Sequence, residues 1–205
     1  MTTESLSINA EISRLFSIMF YNPEETFLSE PETVKALAEL IKEKDASFRD
    51  DAEKLVNSLK ELDAQELMLD YAALFVGPFQ LQAPPYGSVY LDVAKTVNGE
   101  STAAVTDIYR KFALNVKPDM REPADHIAIE LEFIHTALIT IGNMKAENKD
   151  TTETENVFND FISDYYHPFV SRMCELIEKN ASTDFYKSIG GLLKTFSDEL
   201  KLVQV

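Results

Sequence analysis

The chain has few of the residues that stabilise disulfide-rich proteins or bind metals. Its 205 residues include one cysteine, three histidines and no tryptophan. The single cysteine, Cys174, excludes an intrachain disulfide, and its place on an apolar helical pattern predicts a small buried side chain. His126, His135 and His167 show no zinc-binding spacing. His126 and Glu130 are four residues apart, but two ligands do not make a metal site, so we predict no metal and no cofactor.

Glycine and proline are also scarce, with six and eight residues. A β-rich chain needs many turns, which these residues supply, so a sheet is not expected. Apolar residues recur at helical spacing, most clearly over residues 123–145. The sequence predicts an all-α fold, with about nine to ten helices in a single domain over residues 1–205. The interruptions at 77–88 and 146–152 are candidate hinges.

Basic residues are outnumbered by acidic ones, 19 to 35, which gives a net charge of 19 − 35 = −16. This balance argues against binding to nucleic acid or to an anionic membrane, since both need basic surface. We recognise no secretory signal pattern, and no apolar stretch approaches the roughly 20 residues that span a bilayer. We therefore predict a cytoplasmic protein without membrane insertion. Its acidity either favours basic partners or serves only solubility.

The most unusual segment is residues 71–90, YAALFVGPFQLQAPPYGSVY, where glycine and proline are concentrated. Helix connections are ordinarily short and polar. This one carries apolar and aromatic side chains, namely Phe75, Phe79, Leu81, Tyr86 and Tyr90. Such a segment is either buried or forms a surface for an apolar partner.

A polar cluster, Glu122-Pro123-Ala124-Asp125-His126, precedes the clearest helical pattern. If Pro123 begins the helix, Asp125 lies near the third helical position, where a carboxylate faces the positive end of the helix dipole. The same dipole favours a neutral His126 imidazole. Two interpretations remain open. Asp125 stabilises the helix start, or an exposed Asp125–His126 pair binds a peptide backbone or an arginine side chain.

Local signals predict several other helix features. Asp63, with Glu66 three residues on, predicts a capped helix start. Ser88 is a candidate cap for a short helix that ends at Val93, and Ser101 or Thr102 for the helix after it. The pair Gly190–Gly191 either permits a close helix contact or weakens the last helix.

Motifs for nucleotide binding or a serine nucleophile are absent from the sequence. The residues leave two functions open. One is a small all-α metal-dependent or acid–base enzyme that uses Asp125, His126 and Glu130. The other is an acidic adaptor in which residues 71–90 belong to the core.

Three collinear segments resemble the TorD/DmsD family of molybdoenzyme chaperones, also called redox enzyme maturation proteins. They are LFVGP at 74–78, APPYGSVY at 83–90 and EPADHIAIELEFI at 122–134. The segment 184–196, DFYKSIGGLLKTF, is similar to the closing helix of the family. The resemblance implies an all-helical cytoplasmic chaperone of anaerobic respiration, not an enzyme. Such a chaperone binds the twin-arginine signal peptide of a molybdenum-containing oxidoreductase and delays export until molybdopterin is inserted.

The resemblance also implies a partner and a binding site. The partner is the catalytic subunit of the molybdoenzyme, bound through its signal peptide. Several relatives carry a tryptophan near the Leu-Phe pair, where this chain has Tyr71, which leaves the choice of client open. A monomer and a helix-exchanged homodimer also remain open. The implied peptide-binding residues are Tyr71, Leu74, Phe75, Pro85, Tyr86, Ser88, Tyr90, Glu122, Asp125, His126 and Glu130.

Overall fold

The computed structural model describes residues 2–60, 62–78, 80–114 and 122–200. Within these ranges the chain forms ten α-helices and no strand, so the all-α prediction is confirmed. Phe79, one of the apolar residues of the 71–90 segment, lies outside the described residues. The helices are α1 (Thr3–Ile18), α2 (Glu32–Lys44), α3 (Arg49–Lys60), α4 (Ala64–Tyr71), α5 (Gly87–Leu91), α6 (Glu100–Lys111), α7 (Ile127–Ala146), α8 (Thr152–Phe161), α9 (His167–Asn180) and α10 (Asp184–Glu199).

The pair of helices α1 and α7 forms the centre of the core. The α7 helix is apolar on nearly all sides, as expected of a helix with neighbours around it. Its buried side chains pack with those of α1, including Leu6, Ile12 and Phe16. The other helices complete the core around this pair, with α2 on α1 and α8 on α7.

In the described ranges, α7 is also the one helix long and apolar enough to cross a membrane. No stretch of this kind was predicted from the sequence. However, 61% of the most apolar 18-residue window is buried inside the protein. A mostly buried core helix passes the same length and composition test, which makes this weak evidence for a membrane span.

The last two helices approach each other closely at Gly190. A Cβ atom added there would lie 2.9 Å from Cγ2 of Ile177 on α9, whereas one added at Gly191 would meet only the Glu178 carboxylate at 3.8 Å. Gly190 therefore permits the close helix contact that was one of the two interpretations. Cys174 lies in the same buried layer, and burial raises the pKa of its thiol, as expected for a small buried side chain.

A π-helical segment, Ala72–Val76, extends α4 and ends at Gly77, whose φ of 98° favours glycine. The following loop then turns back on this segment. The N–H groups of Gln82 and Ala83 donate to the carbonyls of Ala73 and Leu74 at 3.1 and 3.0 Å. These hydrogen bonds satisfy carbonyls at the end of the helix, and they attach Gln82 and Ala83 to it.

Several predicted helix starts were wrong. The α7 helix begins at Ile127 and not at Pro123, with His126 as its N-cap. Ser88 lies inside α5 and does not cap it. The α6 helix begins at Glu100, because the Asp92 carboxylate accepts the Ser101 N–H at 3.2 Å. By contrast, the Asp63 carboxylate accepts the Glu66 N–H at 2.9 Å, as predicted.

The Gly190 contact can be tested with a matched pair of variants. Gly190→Ala and Gly191→Ala gain the same helix propensity, but only the first places a methyl group against Ile177. Overpacking typically costs about 1–3 kcal/mol. We expect the free energy of unfolding of Gly190→Ala to be lower than that of Gly191→Ala by this amount, measured by urea denaturation. Equal stabilities would contradict the close contact.

Candidate functional site

A cleft of about 370 Å³ opens between the end of α1, the end of α4 and the start of α7. Three residues predicted for the peptide site, Tyr71, Glu122 and His126, contribute to its walls. The remaining lining residues were not predicted, and they are Phe20, Tyr21, Asn22, Glu25, Thr26 and Ile129.

Apart from Ile129, which is on α7, the missed residues lie in the turn after α1. In the sequence, Asn22-Pro23 signals only the end of a helix. Nothing local indicates that this turn meets Tyr71 and Glu122, which are far away along the chain. The Tyr71 hydroxyl points to the carbonyl of Phe20 at 3.5 Å, and the Tyr21 hydroxyl donates to Glu132 on α7 at 2.9 Å.

His126 lies between two tyrosine rings at the base of the cleft. The Tyr21 ring stacks on the imidazole, with a centroid distance of 6.3 Å and an interplanar angle of 15°. The Tyr86 ring meets it edge-on at 5.3 Å. The Tyr86 hydroxyl donates to the Glu122 carboxylate at 3.0 Å. Tyr86 therefore orients both His126 and Glu122 without being among the lining residues.

The imidazole of His126 caps α7. Its Nδ1 atom accepts the Ala128 N–H at 3.2 Å, so the neutral ring carries its proton on Nε2. Only 4% of His126 is exposed, and burial lowers its pKa to about 4. Burial therefore favours the neutral imidazole at pH 7, the same form that the sequence predicted from the helix dipole.

Asp125 connects two parts of the chain and does not lie in a helix. Its Oδ2 atom accepts the Ser88 N–H at 2.7 Å, and its carbonyl accepts the Gly87 N–H at 2.9 Å. Next to these bonds, the Ile127 N–H donates to the Pro85 carbonyl at 2.9 Å, and Tyr86 and His126 form an isolated antiparallel bridge. We call this set of contacts the α5–α7 junction.

The prediction of an exposed Asp125–His126 pair was wrong, as was the placement of Asp125 in the first turn of the helix. Asp125 is only 1% exposed. Its carboxylate faces inward because the start of α5 packs across the start of α7, where the Ser88 N–H donates to it. Asp125 therefore stabilises the contact between α5 and the start of α7, and its side chain does not line the cleft.

Most of the other predicted site residues are buried, namely Leu74, Phe75, Pro85, Ser88 and Glu130. The first two belong to the aromatic core, where Phe75 packs edge-on against Phe20 and Tyr186. Tyr90 is partly buried against Phe169 on α9 and does not line the cleft. In this conformation these residues shape the site and do not present side chains to a ligand.

The walls of the cleft are anionic and aromatic. Its lining contains Glu25 and Glu122 and, among the described residues, no lysine or arginine. Burial raises the pKa of Tyr71 to about 12, and the charges of Glu122 and Glu25 contribute to the shift. Burial likewise raises the pKa of Tyr21. Such a site attracts a cation whose flat surface can contact aromatic rings.

The fold has a counterpart among solved structures. A crystal structure from Archaeoglobus fulgidus, titled as a redox enzyme maturation protein, superposes with a TM-score of 0.59 at 21% identity. The match covers 92% of this chain and 93% of the other. At this level of identity the likeness concerns the fold alone.

Sequence comparisons define the family. The Nitrate reductase delta subunit family matches residues 41–175. The chain is 31% identical to the chaperone protein TorD of Aliivibrio salmonicida over 72% of this chain and 70% of that protein. It is 28% identical to the Tat proofreading chaperone DmsD of Salmonella typhimurium over 90% and 85%. The chain therefore belongs to the TorD/DmsD family of chaperones.

The environment of His126 predicts a pH-dependent stability. The folded pKa of His126, about 4, lies below the usual histidine value of 6.5, so the unfolded chain binds the extra proton more readily. The contribution of the neutral His126 to the free energy of unfolding is present above pH 6.5 and is lost as pH falls toward 4.

We expect NMR titration to show His126 protonating near pH 4. His126→Asn, which keeps a capping side chain, should lose this part of the pH dependence in urea denaturation. A His126 titration near pH 6.5 would contradict the buried, neutral imidazole.

Proposed function

We propose that the cleft binds the twin-arginine signal peptide of a molybdenum-containing oxidoreductase. The observation that carries this proposal is the pairing of Glu25 and Glu122 with aromatic rings in a cleft whose described lining contains no lysine or arginine. In this proposal the protein works in the cytoplasm on the catalytic subunit of its client. It delays export until molybdopterin has been inserted, and it is not an enzyme.

An arginine side chain suits the chemistry of this cleft. Its guanidinium is planar, is always charged and carries five N–H donors. Glu122 and Glu25 can accept hydrogen bonds from it, while Tyr71 offers an aromatic surface. A hydrogen bond to a charged group contributes about 1.5–3 kcal/mol. The neutral His126 adds no positive charge that would repel the ligand.

The size of the cleft limits what it holds. A volume of about 370 Å³ suits one or two side chains, whereas a signal peptide also carries an apolar stretch. Burial of that stretch, at roughly 25 cal/mol per Å², would supply most of the affinity. We propose that the chain acts as one domain, and that movement of the hinge at 77–88 widens the cleft. The hinge at 146–152 would serve helix exchange if a homodimer forms.

The burial of the Asp–His pair decides which variants test this site. Truncation of Asp125 or His126 disturbs the α5–α7 junction, so loss of binding would be confused with loss of structure. Glu122 and Glu25 line the open cleft and are better probes. Replacement by glutamine keeps the shape of each side chain, and in Glu122→Gln the amide oxygen can still accept from Tyr86.

We expect Glu122→Gln and Glu25→Gln each to weaken binding of a client signal peptide by roughly 10- to 100-fold, because each removes a charge-assisted hydrogen bond. Calorimetric titration measures the effect. Glu153→Gln, an exposed change on α8 with the same change in net charge, is the matched control and should bind as the parent does. Parent-like affinity in both cleft variants would exclude this cleft as the arginine site.

Salt and peptide variants separate the ionic part of the binding energy from the part that comes from burial of the apolar stretch. Raising the salt concentration should weaken the parent and leave the glutamine variants less affected, since salt screens exposed charges. A twin-lysine peptide should bind more weakly than the twin-arginine peptide, because lysine lacks the planar donor set. Equal affinity for the two peptides would contradict guanidinium recognition.

A further inference from the structure

Glu130 differs from the other buried carboxyl groups of the described chain. Asp70 accepts hydrogen bonds from Ser182 and Thr183, and Glu155 forms an ion pair with Lys145 at 2.7 Å. Both oxygens of Glu130 are buried without a hydrogen-bond partner among the described residues. A charged carboxylate in such a place would carry the full cost of desolvation.

A second carboxyl group lies beside it. A Cβ atom at Gly87 would be 3.5 Å from Oε1 of Glu130 and 3.6 Å from Cβ of Asp125. The two side chains thus converge on the start of α5. The Oδ1 atom of Asp125 and the hydroxyl of Ser88 also lack partners among the described residues. No lysine or arginine in the described ranges forms an ion pair with either carboxyl.

The groups that face Glu130 from neighbouring helices cannot compensate a charge. Tyr109 of α6 and Tyr166, just before α9, lie near enough for Glu130 to influence their pKa values. Their hydroxyls are occupied, however, with the Ala124 carbonyl and with Ser197, both at 2.9 Å. Burial raises the pKa of Glu130 well above its usual value, and the charge of Asp125 raises it further.

We propose that Glu130 is a neutral carboxylic acid whose proton is shared with Asp125, and that this proton holds the α5–α7 junction closed. Glu130 and Asp125 together bury three carboxyl oxygens that have no hydrogen-bond donor among the described residues, and a proton on Glu130 can be donated to Asp125. If Glu130 lost that proton, two carboxylates would repel each other in a medium of low dielectric constant. Asp125 binds the start of α5, so the repulsion would act on the junction behind the cleft. Glu130 is thus a positioning residue and does not contact a ligand.

The pH dependence of the free energy of unfolding tests whether Glu130 is neutral in the native protein. Native Glu130 keeps its proton above pH 4.5, where the unfolded chain has lost it, so this stabilisation falls as pH rises from 4.5 toward the native pKa. Relative to Glu130→Gln, the unfolding equilibrium constant of the wild type should increase up to tenfold per pH unit between pH 5 and 7. Glu153→Gln corrects for net charge and should follow the wild type. Parallel pH profiles of wild type and Glu130→Gln would overturn the proposal.

Infrared spectroscopy with carboxyl-labelled glutamate gives an independent measurement. At neutral pH the wild type should show a protonated glutamic acid band that is absent from Glu130→Gln. Glu132 is the control on the same helix, because partial burial raises its pKa too. The band should persist in Glu132→Gln, and its loss there would overturn the proposal even if Glu130→Gln does not fold. Asp125→Asn should shift the band, and an unshifted band would exclude sharing with Asp125.

Amide hydrogen exchange tests the positioning role without any peptide. Alkaline pH should reduce the protection factors of the Gly87, Ser88 and Ile127 amides in the wild type but not in Glu130→Gln. Equal protection in the two proteins would overturn the link between the proton and the junction. None of these measurements depends on the proposed signal-peptide function, so that function can fail while the assignment of Glu130 stands.

Discussion

The α5–α7 junction is the constraint on which the candidate site depends. A few short hydrogen bonds, from Ser88 and Gly87 to Asp125 and from Ile127 to Pro85, fix the segment before α5 across the start of α7. That crossing places Tyr86 against His126 and brings its hydroxyl to Glu122. Without the α5–α7 junction, Glu122 and His126 would lose the Tyr86 contacts that position them in the wall of the cleft.

The α5–α7 junction changes the role assigned to the segments that resemble the chaperone family. Their polar residues suggest ligand contacts, yet Asp125, Ser88 and Glu130 are buried. The Ser88 N–H donates to the Asp125 carboxylate, and a buried group bonded in this way specifies one arrangement of the chain around it. Glu130 packs beside them at the start of α5. These residues therefore build the site, and the side chains free to meet a ligand come from the turn after α1 and from Tyr71 and Glu122.

In the folded protein, the acidity of the chain has a local consequence at the cleft. A net charge of −16 alone is compatible with a purely solubilising surface. In the folded protein, two carboxylates lie in an aromatic cleft whose lining, within the described residues, has no cation. A neutral His126 preserves that negative character. Local geometry, more than total charge, makes the cleft suitable for a guanidinium group.

The sequence by itself determined the all-α class, the capped start of α4 at Asp63 and the family, because helical periodicity and capping are encoded within a few residues. Tertiary structure alone decided the start of α7, the inward direction of Asp125 and the membership of the cleft. Those features depend on contacts between distant segments, such as Tyr71 with Phe20, 51 residues apart, and Tyr86 with Glu122, 36 apart. A local pattern favoured a helix from Pro123, but packing offered Asp125 a better partner in the Ser88 N–H, and burial of that pair fixed the outcome.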